Sequence, residues 1–458
     1  MCRTGVAGRG LLKKYARLEN CRPFVSGEIS SNPENTHKNK VLRLIVYTPI
    51  RLARALLIRD RSSVACAGRH IFAAGGIRAR LIHTGDLSMN EFKISRRNFV
   101  KTAAAGAAGL SVLGMPTMAS AAGLTIGIVY VGPRDDFGWN QAHAEAAKVL
   151  KTLPDVTVVE EESVPETIAV SQSMESMINL DEAKLIFATS FGYYKPFVLD
   201  LAAKHADVQF RHAAPLWTDA DPKNAGSYFG YLDQAHYVDG VAAGLSTTTN
   251  KLGFVAAKPI GTVLRNINSF LLGARKVNPD ATVQVIFTGD WSLPVREAEA
   301  TNALVNADCD VITCHVDSPK VVIETAEGRG VKTCGHNASQ APLAPKGFIT
   351  GAEYKWSTIY TGYAADLAAG KTLPNFVGAG FDKDFVQNTG YGAGATPAAI
   401  AAADAARAEV KAGKPIFTGP IKKQDGSELV GTGKSLDNYD PMLDQTDFLI
   451  EGVVGSIT

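Results

Sequence analysis

The sequence predicts an α/β protein built from two doubly wound, parallel-sheet lobes with a cleft between them. Three observations carry this. Short, near-continuous apolar runs recur from Leu124 onward, amphipathic helical periods separate them, and about ten such runs occupy the last three-quarters of the chain. Unbroken apolar strands are buried on both faces, which requires helices on both sides of a parallel sheet. Two open sheets fit this count better than a single (β/α)8 barrel, the next fold in line.

Taken in order, the strand-like runs are 124–131, 156–160, 185–188, 208–211, 227–231, 252–256, 283–287, 311–314, 331–334 and 348–353. Helical spacing of apolar residues falls at 138–150, 168–178, 196–204, 235–245, 263–276, 295–304 and 320–327. The Thr-Thr-Thr-Asn stretch within 247–251 reads as the link between lobes, which puts lobe 1 at 123–248 and lobe 2 at 249–350. A return crossing is expected near 349–355, and the tail 371–458 is shared between the lobes, with one helix at 397–410.

Charge separates the front from the body. Residues 1–122 hold 20 Lys and Arg against 6 Asp and Glu, leaving 27 against 39 for the remainder. An acidic body argues against nucleic acid as a partner, because phosphate backbones need a positive footprint. Within the front, Ser95-Arg96-Arg97-Asn98-Phe99-Val100-Lys101 precedes an apolar run to Met115 and the small-residue stretch Ala119-Ser120-Ala121. Basic flank, apolar core and an A-x-A site in that order read as an export signal of the twin-arginine kind over 89–122. The run is too short and too rich in Ala and Gly to span a bilayer well. Cleavage near Ala121 would free the body in the periplasm, and with no cysteine beside that point no lipid or other stable membrane anchor is expected. Residues 1–88 read as a mis-assigned start or an unstructured extension. Cys2, Cys21 and Cys66 lie in the front and Cys309, Cys314 and Cys334 in the body; no CxxC spacing is present, so the body cysteines read as buried thiols.

Ligands of open parallel sheets sit beyond the carboxyl ends of the strands. The residues there include Phe137, Trp139, Asn140, Phe191, Tyr193, Asp233, Trp291, Asp317, Asn337 and Trp356. Flat rings interleaved with carboxylates and amides suit a flat heteroaromatic ligand: rings stack on its faces, and polar groups pair with its edge. Ordinary core packing competes for each ring taken singly.

The motifs Asp136-Phe137-Gly138-Trp139-Asn140-Gln141 and Thr189-Ser190-Phe191-Gly192-Tyr193, with Asp233 through Gly240, resemble the basic membrane protein (BMP) family. These are substrate-binding proteins of ABC importers, similar to purine nucleoside receptors. The resemblance implies a type I periplasmic-binding-protein fold, a permease partner, base-stacking roles for Trp139 and Phe191, and edge-pairing roles for Asn140 and Asp233. Nucleoside-binding members carry Gly-Val-Asp after a late strand and a later lysine for the ribose. Here Gly335-His336-Asn337 and Tyr354-Lys355-Trp356 stand in those regions, which points to a free base such as adenine.

Other signals are weaker. Gly431-Thr432-Gly433-Lys434-Ser435 lacks the earlier glycine of a phosphate loop, since position 428 is Glu428. His143-Ala144-Glu145 has no Pro-Cys-x-x-Cys partner. Cys314-His315 and Cys334-Gly335-His336 would form a metal site only if the two strands brought them together; the bland reading, thiols into the sheet and histidines at the cleft, is preferred. No cofactor is expected, and no nucleophile–base set is visible, so catalysis on a purine-like substrate and a sensor subunit for a signalling partner are the alternatives to transport.

Overall fold

The computed structural model describes residues 123–457. The export signal at 89–122 and the extension before it, with the three front cysteines, lie outside the described residues.

The chain runs β1 (Leu124–Val129), α1 (Trp139–Leu150), β2 (Val156–Glu161), α2 (Ile168–Asn179), β3 (Leu185–Ala188), α3 (Leu199–Lys204), β4 (Gln209–Ala213) and β5 (Ala225–Gly230). These strands pair in parallel in the order β2-β1-β3-β4-β5. Next come α4 (Asp233–Gly244), β6 (Lys251–Ala256), α5 (Gly261–Val277), β7 (Thr282–Phe287), α6 (Pro294–Asn306), β8 (Val311–His315), α7 (Lys320–Gly328), β9 (Lys332–Asn337) and β10 (Phe348–Tyr354). They repeat the first order as β7-β6-β8-β9-β10, again parallel. In both sheets the order reverses beside the first strand, which opens a crevice at the carboxyl ends.

The two sheets solve their central packing alike. Gly127 of β1 lies opposite Ile186, and a Cβ on it would meet that isoleucine's Cδ1 at 2.6 Å. Gly253 of β6 lies opposite Ile312, and its Cβ would meet the corresponding atom at 2.5 Å. Each glycine leaves room for the neighbouring isoleucine to fold over it.

Three passages join the lobes. The first follows β5, because α4 packs against α5 and β10 of the second lobe. The passage expected at 247–251 therefore lies earlier, at Tyr231 and Leu232. A polar Thr-rich turn marks the end of α4 there, and is tied down by Asp310, which accepts from the Thr248 amide and hydroxyl. The second passage runs from β10 into α8 (Trp356–Ala368), which packs beside α1. From there β11 (Phe376–Ala379) joins β5 in parallel. The third passage leads to β12 (Val386–Asn388), antiparallel to β10. The tail adds α9 (Pro397–Lys411), the hairpin of β13 (Ile421–Lys422) and β14 (Glu428–Val430), α10 (Pro441–Asp444), and β15 (Val453–Val454) beside β7.

Helices α4 and α5 cross backbone to backbone. A Cβ on Gly240 would lie 2.0 Å from the Phe270 carbonyl oxygen, and one on Gly273 would lie 1.9 Å from that of Tyr237. Gly240→Ala must push the helices apart and is expected to cost about 1–3 kcal/mol in urea unfolding. Gly328→Ala, whose Cβ meets nothing within 4 Å, should be neutral or stabilise by up to ~1 kcal/mol through helix propensity.

Candidate functional site

The carboxyl ends of the two sheets face one another across a cavity of about 440 Å³. From the first lobe its wall includes Trp139, Ser190, Phe191, Leu216 and Phe229; from the second, Ile260, Thr262, Trp291, His315, Asp317, Asn337, Tyr354, Asp444 and Gln445. None of the lining residues is a lysine or an arginine.

The loop before α1 sets the first wall. Asp136 is buried and accepts from the amides of Gly138, Asn140 and Gln141 and from Asn140 Nδ2, thereby capping the helix. Burial pushes its carboxyl above the usual range, against the pull of those hydrogen bonds. Asn140 Oδ1 accepts from the Gly132 amide at 3.1 Å. Both ends of the Asn140 amide are thus spent on the loop, so the edge-pairing residue expected of it is a structural one here. Trp139, at the first turn of α1, donates from Nε1 to the Thr189 carbonyl at 2.5 Å, which fixes its ring.

The same loop meets the second lobe. The Trp139 amide donates to the Asp317 carbonyl at 2.8 Å, and Ser318 Oγ donates to the Asp136 carbonyl at 2.7 Å. Gln340 Nε2 donates to the Phe137 carbonyl. Phe137 takes a left-handed φ of 58° to make this approach. Gly138 has no side chain to obstruct it: a Cβ there would sit 1.9 Å from the Asp317 carbonyl oxygen.

Behind Trp139 a column of rings runs into the first lobe. Tyr354 stacks on Trp356 with centroids 4.1 Å apart, Trp356 on His143 at 4.9 Å, His143 on Tyr360 at 6.0 Å, and Tyr360 on Phe187 at 3.8 Å. Trp139 stands edge-on to Tyr354, Trp356 and His143. His143 Nδ1 lies 2.7 Å from the Tyr360 hydroxyl, and burial holds its imidazole neutral by lowering its pKa well below the usual value.

Across the cavity, Asn337 has φ 68°, is buried, and spends Nδ2 on the Val316 carbonyl at 3.2 Å while its Oδ1 has no partner among the described residues. Asn337 thus holds a buried acceptor beside the cavity that no group among the described residues satisfies. Desolvation raises the Asp317 carboxyl well above its ordinary pKa, and Asp136, Glu166, Glu297 and Asp290 add to it, so this group favours its neutral form.

Five of the ten residues named from sequence line this cavity: Trp139, Phe191, Trp291, Asp317 and Asn337. Phe191 is 48% exposed and the others are half-buried or buried. The remaining five stand elsewhere. Tyr193 is buried with its hydroxyl on the Val164 carbonyl. Asp233 is paired at 3.0 Å with Arg265, which also holds Asp444. Trp356 belongs to the ring column, Asn140 to the cap, and Phe137 contributes its backbone while Lys320 lies over its ring. Sequence reasoning missed Tyr354 as a wall residue, although it ends β10 and obeys the same strand-end rule; His315, expected at the cleft edge but not named as a ligand contact, lies on the wall. Residues 444–445 carry no signal of that kind, because a tail segment brings them in. Cys314 and Cys334 are buried away from the cavity wall, and among the described residues no group of three His, Cys, Asp or Glu could hold a metal ion.

Two lobes of this topology closed over one cavity define a solute-binding protein of the periplasmic-binding type. The family model for the PnrA-like substrate-binding proteins of ABC transporters (Bmp) matches residues 124–384, and the chain belongs to this family of binding proteins, which are not enzymes. A purine-binding protein of Brucella abortus is 35% identical over 333 residues, 72% of this chain and 93% of its own length. A putative ABC transporter glucose-binding protein of Haloferax volcanii is 35% identical over 234 residues, 51% of this chain and 58% of its own. ABC transporter solute-binding proteins from Aeropyrum pernix and Conexibacter woesei share the fold with TM-scores of 0.55 and 0.53 at 17% and 21% identity, covering 66% and 63% of this chain and 93% and 96% of theirs. Members of this class bind small ligands outside the cytoplasm and work with a membrane permease.

Gly138→Ala should oppose lobe closure without disturbing either lobe, because the added carbon clashes only across the seam. Ligand affinity is expected to fall about 10- to 100-fold, the equivalent of roughly 1–3 kcal/mol of overpacking. Small-angle scattering should show a reduced ligand-induced contraction, while the circular dichroism spectrum stays unchanged.

Proposed function

We propose that this protein is the receptor of an ABC importer for a purine base, with adenine the first candidate, and that the twin-arginine signal exports it to the periplasm. The observation that carries the ligand reading is the convergence of Trp139 and Phe191 from one lobe with Trp291 from the other on one cavity, beside the unpaired Oδ1 of Asn337. Rings contributed by both lobes stack on a flat ligand only when the lobes are together, so binding and closure are the same event. A wall with neither lysine nor arginine, and with a carboxyl that favours its neutral form, suits an uncharged base and disfavours a nucleotide phosphate. The Brucella relative's description as a purine-binding protein supports the same reading. Asn337 and the Tyr354–Trp356 stack stand where ribose-handling groups are expected in nucleoside receptors, which favours the free base over the nucleoside.

In the receptor cycle, ligand entering the open cleft first meets one lobe. The other then swings in about the passages at 231–232, 355 and 380–385, forming the Trp139–Asp317 backbone bond as it arrives.

Calorimetry against adenine, hypoxanthine, guanine, adenosine, AMP and glucose tests this. A purine base should bind most tightly, adenosine and AMP should bind more weakly, and Phe191→Ala should weaken base binding about 5- to 150-fold, as expected for a lost stack of roughly 1–3 kcal/mol. Tight glucose binding without purine binding would overturn the ligand assignment. For export, Arg96→Lys combined with Arg97→Lys should leave the protein in the cytoplasm on fractionation. Unchanged delivery to the periplasm would refute the twin-arginine route.

A further inference from the structure

His315 ends β8 on the cavity wall. Its Nδ1 lies 2.9 Å from Asn266 Nδ2, on the buried face of α5. With the Asn266 amide oriented this way its nitrogen donates and Nδ1 accepts, an arrangement that puts the proton of the neutral ring on Nε2. Burial lowers the imidazole's pKa to about 3, which leaves this neutral form in place across the physiological range. The ring is clamped from behind by His336, whose centroid lies 4.3 Å away and whose Nδ1 is 2.9 Å from His236 Nε2. Among the described residues only Nδ1 is engaged in a hydrogen bond, so the Nε2–H is left for whatever occupies the cavity. Asn337 is beside it in the fold: its Nδ2 bonds to the carbonyl of Val316, the next residue along, and its Oδ1 has no partner among the described residues. One fixed donor and one fixed acceptor thus share a single stretch of wall.

We propose that His315, held in its Nε2–H tautomer by Asn266, donates to a ring nitrogen of the ligand while Asn337 Oδ1 accepts from the exocyclic amine next to that nitrogen. The ligand class is then a planar heterocycle carrying an unprotonated ring nitrogen beside an amino group, as a 6-aminopurine does. This rests on the purine reading above and adds the edge by which the base is held. Asn266 touches no ligand; it is a positioning residue that selects which imidazole nitrogen bears the proton. A site that hydrogen-bonds a ligand edge discriminates strongly against analogues lacking the partner atom, because the protein's own buried group is then left unpaired.

The test is a cycle between protein variants and ligand analogues, read by calorimetry. Against the full-length mature protein, adenine is compared with 1-deazaadenine, 3-deazaadenine and 7-deazaadenine, each with one ring nitrogen replaced by carbon. Either 1-deazaadenine or 7-deazaadenine, which lose the nitrogens flanking the amine, should bind at least tenfold more weakly than adenine to the unaltered protein, and should bind about as well as adenine to His315→Phe, which keeps a flat ring and removes the donor; discrimination against 3-deazaadenine alone would overturn the proposal. Asn266→Leu should shrink the same discrimination, and long-range 15N–1H spectra should show His315 leaving the pure Nε2–H form. If purines bind but no deaza analogue is discriminated, or if His315→Phe preserves the discrimination, the proposal fails while the purine reading stands. If no purine binds, the purine reading itself has failed. Circular dichroism of both variants separates loss of recognition from loss of fold, and a folded Asn266→Leu protein with unaltered tautomer and unaltered discrimination would overturn the positioning role.

Discussion

The structure turns on a single backbone hydrogen bond between lobes, from the Trp139 amide to the Asp317 carbonyl. Each partner sits next to a side chain that faces the cavity, so closing the seam and finishing the binding site cannot be separated. The bond is possible because Gly138 presents no carbon to the approaching carbonyl and because Phe137 accepts a left-handed backbone. Asp136 holds that loop in place by satisfying three free amides at the start of α1. A run of residues whose side chains largely avoid the ligand therefore governs whether the ligand is enclosed.

Electrostatics reinforce the same division of labour. The buried guanidinium of Arg265 is consumed by Asp233 and Asp444, and it braces the tail segment that completes the cavity. Around Asp317, desolvation drives the carboxyl toward the neutral form, and Asp136, Glu166, Glu297 and Asp290 add to it, the last of these itself paired with Lys258. What remains at the wall is a set of neutral donors and acceptors between rings, chemistry that distinguishes ligands by shape and by the order of polar atoms along an edge rather than by charge.

Much of this was legible in the residues. Unbroken apolar runs at 124–131 and 252–256 foretold central parallel strands, since only a strand covered on both faces can be apolar throughout. The strand-end rule found Trp139, Phe191, Trp291, Asp317 and Asn337 because a doubly wound sheet leaves its side chains exposed nowhere else in the crevice. The rule cannot say whether a side chain at a strand end turns to the cavity or back into its lobe. Asn140, Asp233 and Trp356 turned back, each claimed by a local partner that spacing does not reveal: a capping carboxylate, a distant arginine, a stacked histidine. The lobe boundary was misread at the Thr-rich turn because a polar turn looks the same whether it ends a helix inside a lobe or joins two lobes. Residues 444–445 reach the wall through a long-range return of the tail, which no local pattern records.

The stacked rings from Tyr354 to Phe187 have a mechanical consequence. Tyr354 closes a strand of one lobe and Trp356 opens a helix of the other, and their faces lie together with only Lys355 between them in the chain. A pile of flat rings resists bending but lets its plates slide and turn about their common normal. At this passage, movement of one lobe against the other therefore has to pass through a slide or a turn of these two ring faces, like plates on a shared spindle.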